Sequence, residues 1–198
     1  MRSLDLFALA VDTTRNLLPG DGEVYDHGRF VDDDTGRSWR ATLLTEVPWS
    51  NDEAVINGQR IVVPRKVAWY GDDAWFYTYS GTTKQALTWT PTLLAVKARV
   101  EDVVGVAFNA CLLNLYENGD QGVSWHSDDE AALGRNTTIA SLSLGATRRF
   151  DFKHKRDGRR ASIDLDDGRL IVMTGATQTH WLHQIPKQRT IRSARLNL

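Results

Sequence analysis

The sequence predicts a mainly β fold with flanking helices, in the α+β class. Three observations lead to this prediction: a hairpin signal at Asn57-Gly58, one clearly bounded helix beginning near Pro91, and short β-prone segments that alternate with turns after Gly105. Evenly spaced short strands of this kind are typical of a sandwich, a barrel or a jelly roll.

The elements before residue 105 follow from local signals. Asn57-Gly58 stands between two β-prone runs, which favours a hairpin, and the aromatic segment W-F-Y-T-Y-S (75–80) predicts a further strand. Thr90 suits a helix N-cap, Pro91 the first helical position, and Gly105 the residue after the helix. One face of this helix is predicted to be buried and consists of Leu93, Val96, Val100, Val103 and Val104.

The rest of the chain divides into strands and turns. In the first fifty residues the run D-D-D-T-G (32–36) predicts a turn. Five strands are predicted beyond the helix because β-prone runs there are separated by turn residues such as E-N-G-D and R-D-G-R. These strands cover residues 108–116, 138–144, 147–152, 169–174 and 191–198.

Composition predicts one soluble globular domain over residues 1–198. The chain is 41% hydrophobic and 25% charged, and it has no run of about 20 apolar residues that could cross a bilayer. The first residues lack the pattern of a signal peptide. A single cysteine, Cys111, excludes an internal disulfide and is typical of the reducing cytoplasm. We therefore expect a cytoplasmic protein without a membrane segment, and we expect it to be a monomer.

Charge is unevenly distributed along the chain. Residues 145–198 contain twelve Lys and Arg against five Asp, although the whole chain has a net charge of −1. Seven of these basic residues lie within 148–160. Such clustering indicates a polyanionic partner, with a solvated hairpin tip as the alternative of about equal weight.

The stretch S-W-H-S-D-D-E (124–130) contains a candidate pair of metal ligands. His126 and Asp128 share a face if the segment is a strand, because side chains alternate along strands. A solvated acidic turn is the alternative. A third ligand can come from T-H-W-L-H-Q-I-P (179–186), where His183 is favoured over His180 because the turn at Pro186 could return it beside His126. Two histidines and one carboxylate are the ligand set of non-haem Fe(II) oxygenases.

Five ordered motifs resemble the AlkB family of Fe(II)- and 2-oxoglutarate-dependent dioxygenases. They are N-L-Y (114–116), W-H-S-D-D-E (125–130), I-A-S-L-S-L-G-A-T-R-R-F (139–150), W-L-H-Q-I-P (181–186) and R-L-N-L (195–198). Upstream, P-R-K-V-A-W-Y-G (64–71) and Y-T-Y-S-G (77–81) resemble the DNA- and RNA-repair branch of that family. The resemblance implies a double-stranded β-helix, or cupin-like jelly roll, preceded by an N-terminal extension that recognises nucleotides. It divides the single domain into this extension, about 1–90, and a support helix with the jelly-roll core, about 91–198.

The resemblance also implies the cofactors and the residues that bind them. His126, Asp128 and His183 would hold Fe(II) and form the catalytic centre, while O2 and 2-oxoglutarate are the cosubstrates. Four residues would bind 2-oxoglutarate, and their side chains are suitable because amide, phenol and guanidinium groups donate to carboxylates. These residues are Asn114, Tyr116, Arg195 and Asn197.

The implied substrate is nucleic acid with bases methylated at a ring nitrogen, such as 1-methyladenine and 3-methylcytosine. These bases are cationic, so nearby carboxylates and tyrosine rings can bind them. Arg148 and the basic stretch 153–160 would contact phosphates. The residues that would line the lesion pocket are Tyr77, Tyr79, Ser80, Asp129 and Glu130.

Two alternatives remain open at this stage. The same iron chemistry could act on RNA, a protein or a small molecule. The family pattern R-x-N-L-T-F-R is followed here only as far as Leu198. If that end is natural, weaker cosubstrate binding is expected, and a catalytically impaired jelly roll that binds nucleic acid becomes an alternative.

Overall fold

The structure, a computed structural model, describes residues 11–56, 59–72, 76–79 and 82–198. The helices are α1 Asp33–Glu46, α2 Pro91–Val104 and α3 Thr177–His180, with a 3-10 turn at Ala131–Leu133. The strands are β1 Glu23–Arg29, β2 Ser50–Ile56, β3 Gln59–Gly71, β4 Phe76–Tyr79, β5 Thr82–Gln85, β6 Leu87–Thr88, β7 Ala110–Tyr116, β8 Val123–His126, β9 Ile139–Gly145, β10 Arg148–His154, β11 Arg160–Leu165, β12 Arg169–Thr174, β13 Trp181–Ile185 and β14 Arg195–Asn197.

The strands form two principal sheets that enclose the interior of a jelly roll. The larger sheet has the order β1-β12-β9-β14-β7-β3-β2, with β6 paired to β3. The smaller sheet has the order β11-β10-β13-β8. A separate two-stranded ribbon contains β4 and β5. Strands β1, β2 and β3 belong to the larger sheet, so the first ninety residues contribute directly to it. The predicted mainly β fold with a jelly-roll core is confirmed.

Two apolar cores hold these layers together. One lies between the sheets, where Trp181 and Ile171 are fully buried. The other lies between the larger sheet and helices α1 and α2, where Leu43 and Leu93 are buried against Leu144. The smaller sheet contributes Phe150, Phe152 and Ile185 to the first of these cores.

Helix α2 has the predicted ends. The Thr90 side chain accepts a hydrogen bond from the Leu93 N–H at 3.2 Å, and Gly105 ends the helix in the left-handed conformation with a φ of 72°. Val103 was wrongly assigned to the buried face, because it is 46% exposed at the last turn. In the described part of the chain, the structure contains no helix with the length and apolar character to cross a membrane.

The segment D-D-D-T-G is a helix start and not the predicted turn. Asp32 is the N-cap of α1, and its side chain accepts hydrogen bonds from the N–H groups of Asp34 and Thr35 at 3.1 and 2.9 Å. The prediction was wrong because aspartate is favoured both in turns and at helix N-caps.

The upstream hairpin is confirmed by its strands. Strands β2 and β3 pair in antiparallel register, with Ile56 opposite Gln59. The two turn residues, Asn57 and Gly58, lie outside the described residues. The predicted aromatic strand is present as β4.

The downstream strands β7, β9, β10 and β12 agree with the prediction to within two residues at their ends. The last strand is shorter than predicted, since β14 covers only Arg195–Asn197. Strands β1 and β11 were not predicted. Charged and small residues interrupt both of them, so their apolar alternation is weak.

Candidate metal centre and active site

The two candidate histidine ligands lie on neighbouring strands of the smaller sheet. His126 on β8 stands directly opposite His183 on β13, and their ring centroids are 4.2 Å apart. Directly opposite residues of antiparallel strands project from the same face. The expected return of His183 beside His126 is therefore confirmed by the strand register.

Asp128 completes a compact group with these histidines. Its Oδ1 atom is 3.8 Å from His126 Nε2, and its Oδ2 atom is 3.4 Å from His183 Nε2. One ligand atom from each of the three residues lies within 4.8 Å of the others. Among the residues that the structure describes, no other group of three such side chains is this close. Two imidazoles and one carboxylate on one wall of a cavity can hold a divalent metal with open positions.

The route by which Asp128 reaches this group differs from the prediction. Strand β8 ends at His126, so Asp128 lies in the loop that follows and not on the strand. Its main-chain N–H donates to Gln178 Oε1 at 3.0 Å. His126 and Asp128 therefore come together because of the conformation of this loop, and not because side chains alternate along a strand.

The charge states of the group suit metal binding. Burial, reinforced by the neighbouring His183, lowers the pKa of His126 to about 4, so this imidazole is neutral near pH 7. Burial acts to raise the pKa of Asp128, but the hydrogen bond and charge of His183 outweigh it and lower this pKa. His126 Nδ1 lies 2.8 Å from the Ser124 carbonyl, an arrangement in which Nδ1 donates and Nε2 keeps its lone pair for a metal.

Arg195 supplies a buried positive charge near this cavity. It is 1% exposed, and its Nη2 donates to Ser143 Oγ at 2.8 Å. Its Nε and Nη1 atoms are buried without a hydrogen-bond partner. Burial lowers the pKa of Arg195 to about 10, so the guanidinium stays charged at neutral pH. A buried cation with two unused donors matches the needs of a carboxylate ligand.

The other candidate cosubstrate residues surround the same space. Asn114, Tyr116 and Asn197 line a cavity of about 270 Å³ that the metal-ligand group also lines. Asn197 stands opposite Asn114, and its amide donates to Ser141 Oγ at 2.8 Å and to the Leu142 carbonyl at 2.9 Å. The Arg195 guanidinium lies 5.5 Å from the centre of the Tyr116 ring.

The candidate lesion-pocket tyrosines lie on the small ribbon. Tyr77 and Tyr79 are two residues apart on β4, opposite Lys84 and Thr82 of β5. Their side chains, and Ser80 altogether, lie outside the described part of the chain. Their role in binding a base stays a prediction.

The two carboxylates that follow the metal-ligand pair, Asp129 and Glu130, differ in exposure. The Asp129 side chain is 60% exposed, and its Oδ2 atom is 3.3 Å from Lys155 Nζ. Glu130 is half-buried, and neither carboxylate is among the residues that line the cavity. Their contact with a cationic base stays a prediction.

Arg148 was wrongly predicted to contact phosphates. It is 1% exposed, and its guanidinium donates to the carbonyls of Gln121 and Pro186, both at 2.8 Å. Because these bonds join two loops inside the protein, Arg148 stabilises the fold and cannot reach the phosphates of a nucleic acid at the surface.

Exposed cations do occur beyond it in the basic stretch 153–160. The half-buried Lys153 on β10 stands opposite the exposed Arg160 on β11. Their charged groups lie 5.4 and 5.5 Å from the centre of the Trp125 ring, next to the candidate ligand His126. Like charges placed opposite each other disfavour a sheet, and an anion bound between them would relieve that repulsion.

Three residues of the site were missed by sequence reasoning. Arg65 is 7% exposed, lines the cavity, and is close enough to act electrostatically on both His126 and Asp128. Ser141 and Ser143 accept the hydrogen bonds of Asn197 and Arg195 described above. The alternation S-L-S in β9 is a signal for two hydroxyls on one strand face, whereas burial of Arg65 has no local signal.

The jelly roll, the two-histidine and one-carboxylate group and the buried arginine together define the class of Fe(II)- and 2-oxoglutarate-dependent oxygenases. The family described as the 2OG-Fe(II) oxygenase superfamily matches residues 27–198, and this chain belongs to it.

Several relatives place the chain more closely. Alpha-ketoglutarate-dependent dioxygenase alkB homolog 3 of Homo sapiens is 42% identical over 166 residues, which cover 79% of this chain and 57% of that protein. The Bos taurus homolog 3 is 41% identical over 179 residues, covering 85% and 62%. DNA oxidative demethylase ALKBH2 of Homo sapiens is 39% identical over 144 residues, covering 69% and 55%. The resemblance to the AlkB family is thereby confirmed, and the chain spans about three fifths of the length of these relatives.

A solved structure supports the fold. The structure of OsALKBH1 superposes with a TM-score of 0.64 and covers 92% of this chain and 98% of its own. At 16% identity this likeness concerns the fold alone.

Family membership implies Fe(II), 2-oxoglutarate and O2 as the cofactors, as predicted. The residues present fit them. His126, Asp128 and His183 provide the metal ligands, and the unpartnered donors of Arg195 provide the positive partner for a carboxylate.

Proposed function

We propose that this chain is a nucleic-acid demethylase that removes methyl groups from ring nitrogens of bases in DNA or RNA. The observation that carries the proposal is one cavity lined by the metal-ligand group, with the buried Arg195 packed behind its Tyr116 wall. His126, Asp128 and His183 would hold the iron, and Arg195, Tyr116, Asn114 and Asn197 would orient the 2-oxoglutarate. Bound Fe(II), with O2 and 2-oxoglutarate, supplies the oxidation of the methyl carbon, which leaves as formaldehyde while the cosubstrate becomes succinate and CO2.

The protein residues contribute binding, orientation and charge. His126 is held neutral by burial, with Nδ1 facing the Ser124 carbonyl, so it offers Nε2 without first losing a proton. Arg195 stays charged at neutral pH and would offer that charge to a carboxylate of 2-oxoglutarate. Phe150 and Ile185 give the cavity apolar walls beside the metal ligands.

Nucleic acid is favoured as the substrate by surface charge and by the relatives. The half-buried Lys153 and the exposed Arg160 form a cationic pair around Trp125, one residue from His126. Because side chains alternate along a strand, this pair lies on the face of the smaller sheet opposite to the one from which His126 projects. A phosphate bound there would hold the nucleic acid against that outer face, and the target base would reach the metal group by leaving the stack. The human relative ALKBH2 carries the name DNA oxidative demethylase.

The single cysteine supports a cytoplasmic location for this chain.

A formaldehyde assay on an oligonucleotide that contains 1-methyladenine tests this proposal. Release is expected to require iron and 2-oxoglutarate and to be lost in His126→Ala. The matched control is His180→Ala, because His180 is exposed and lies three residues before the ligand His183. Succinate formation without formaldehyde would indicate a different substrate, and oligonucleotide binding without turnover would indicate a binding module.

A further inference from the structure

The three candidate metal ligands are not held in the same way. His126 and His183 are fixed by strand pairing, since each lies in the ladder of the smaller sheet. Asp128 lies in the loop 127–130, where no ladder hydrogen bond sets its direction. Another contact must therefore orient Asp128.

Gln178, on helix α3, provides that contact. It is 6% exposed, and its Oε1 accepts the Asp128 N–H at 3.0 Å. Its Nε2 faces Met173 Sδ at 3.6 Å, which fixes the orientation of the amide. A buried amide that contacts two neighbouring residues in this way can hold them in place.

The helix that carries Gln178 is itself anchored. The Thr177 hydroxyl lies 2.6 Å from the Thr174 carbonyl, to which it donates, and 3.0 Å from the Glu23 carbonyl, and it accepts the Glu23 N–H at 2.8 Å. The Gln178 carbonyl accepts a hydrogen bond from Lys155 Nζ at 2.8 Å. This short helix is therefore a rigid support, although it has only four residues.

We propose that Gln178 is a positioning residue that aims the Asp128 carboxylate at the metal site. By holding the Asp128 N–H, it sets the direction of the side chain toward His126 and His183. Lys155 extends the same support to the next residue, because its Nζ also lies 3.3 Å from Asp129 Oδ2. The proposal rests on the metal site of the proposed function.

Cobalt binding by the metal-free protein tests the proposal without relying on turnover. Gln178→Met keeps the approximate volume and removes the acceptor. Gln178→Met is expected to raise the Kd for Co²⁺ about tenfold, which is the lower end of the affinity loss typical for residues that support metal ligands. Gln184→Met is the matched control, because Gln184 lies next to His183 but its amide donates to Asp151 at 3.0 Å instead of supporting the site. The control is expected to bind Co²⁺ as the unmodified protein does.

The outcomes separate this inference from the proposed function. If the unmodified protein fails to bind Co²⁺, or if His126→Ala binds it equally well, the metal site and this inference both fall. If the unmodified protein binds and Gln178→Met binds within twofold of it, the inference alone is wrong.

Hydrogen exchange keeps the inference testable if Gln178→Met does not fold. In the unmodified, metal-free protein the Asp128 amide should exchange at least tenfold more slowly than the Asp129 amide. Equal rates at the two amides would show that Gln178 does not hold the Asp128 main chain.

Discussion

Replacing Arg195 by methionine should weaken 2-oxoglutarate binding without weakening the fold. Two donors of this guanidinium, Nε and Nη1, are buried and unpartnered. A hydrogen bond from a charged donor contributes about 1.5–3 kcal/mol. Loss of both therefore removes at least about 3 kcal/mol, the lower end of the sum, which corresponds to a Kd raised at least about 100-fold.

The same replacement of Arg195 should leave the fold as stable as before or make it more stable. A buried cation with unused donors disfavours folding because its hydration is lost without full compensation. Burial already lowers the pKa of Arg195 to about 10, which reflects this disfavoured charge. In the absence of cosubstrate, Arg195→Met is expected to have a Tm equal to or above that of the unmodified protein.

Arg148→Met is the matched control in the same neighbourhood. Both arginines are 1% exposed and lie within 5.6 Å of the Tyr116 ring centre, but Arg148 uses its donors on main-chain carbonyls. Removing it leaves those carbonyls unsatisfied, at a cost of about 2 kcal/mol, or about 4–8 °C in Tm. Its affinity for 2-oxoglutarate, measured on folded protein, should stay within about threefold of normal.

Calorimetric titration of 2-oxoglutarate into protein loaded with Mn²⁺, without O2, measures these affinities, and thermal unfolding measures the Tm values. The reasoning is refuted if Arg195→Met binds 2-oxoglutarate within threefold of the unmodified protein. It is also refuted if both arginine variants lose the same affinity, because the loss would then reflect general damage to the cavity.

Three further predictions concern the surface and the helices. The double change Lys153→Gln with Arg160→Gln should reduce the salt dependence of binding to a single-stranded oligonucleotide. The slope of log affinity against log salt concentration should become shallower by about 1.4, since about 0.7 is expected for each phosphate contact. Fluorescence anisotropy at several salt concentrations measures this slope, and an unchanged slope would contradict the prediction. Thr90→Ala should lower the free energy of unfolding by about 1 kcal/mol through loss of the α2 N-cap, seen as a Tm lower by about 2–4 °C; an unchanged Tm would mean that the cap does not stabilise α2. The hydrogen bond from the Phe108 N–H lowers the pKa of Glu101, so its stabilising effect is present above the ordinary glutamate pKa and is lost as the pH falls through the lowered value. Glu101→Gln should therefore have a lower Tm than the unmodified protein at pH 7, and the two Tm values should become equal at acid pH. A difference in Tm that does not change with pH would show that the charge of Glu101 does not cause the stabilisation.

Local signals in the sequence were sufficient for the support helix and its ends. Thr90, Pro91 and Gly105 act through their own backbone preferences, which neighbouring elements do not change. The start of α1 was misread because Asp32 can cap a helix or form a turn, and the packing of Leu43 in the core beside the larger sheet is a tertiary contact that favours the helix.

The site was predictable where residue type alone limits the chemistry. Imidazole, carboxylate and guanidinium groups suggested His126, Asp128 and Arg195, and the order of motifs connected them. Arg148 and the stretch 153–160 show the limit of this reasoning, because a basic sequence does not tell which side chains are buried.

The sequence by itself determined the kinds of ligand available, the family and the ends of α2. These depend on side-chain chemistry and on local backbone preferences. Only the tertiary structure decided that His183 stands opposite His126, that Gln178 holds Asp128, and that Arg195 keeps two unused donors. Each of these depends on contacts between segments distant in the chain, which follow from strand register and burial and not from any local pattern.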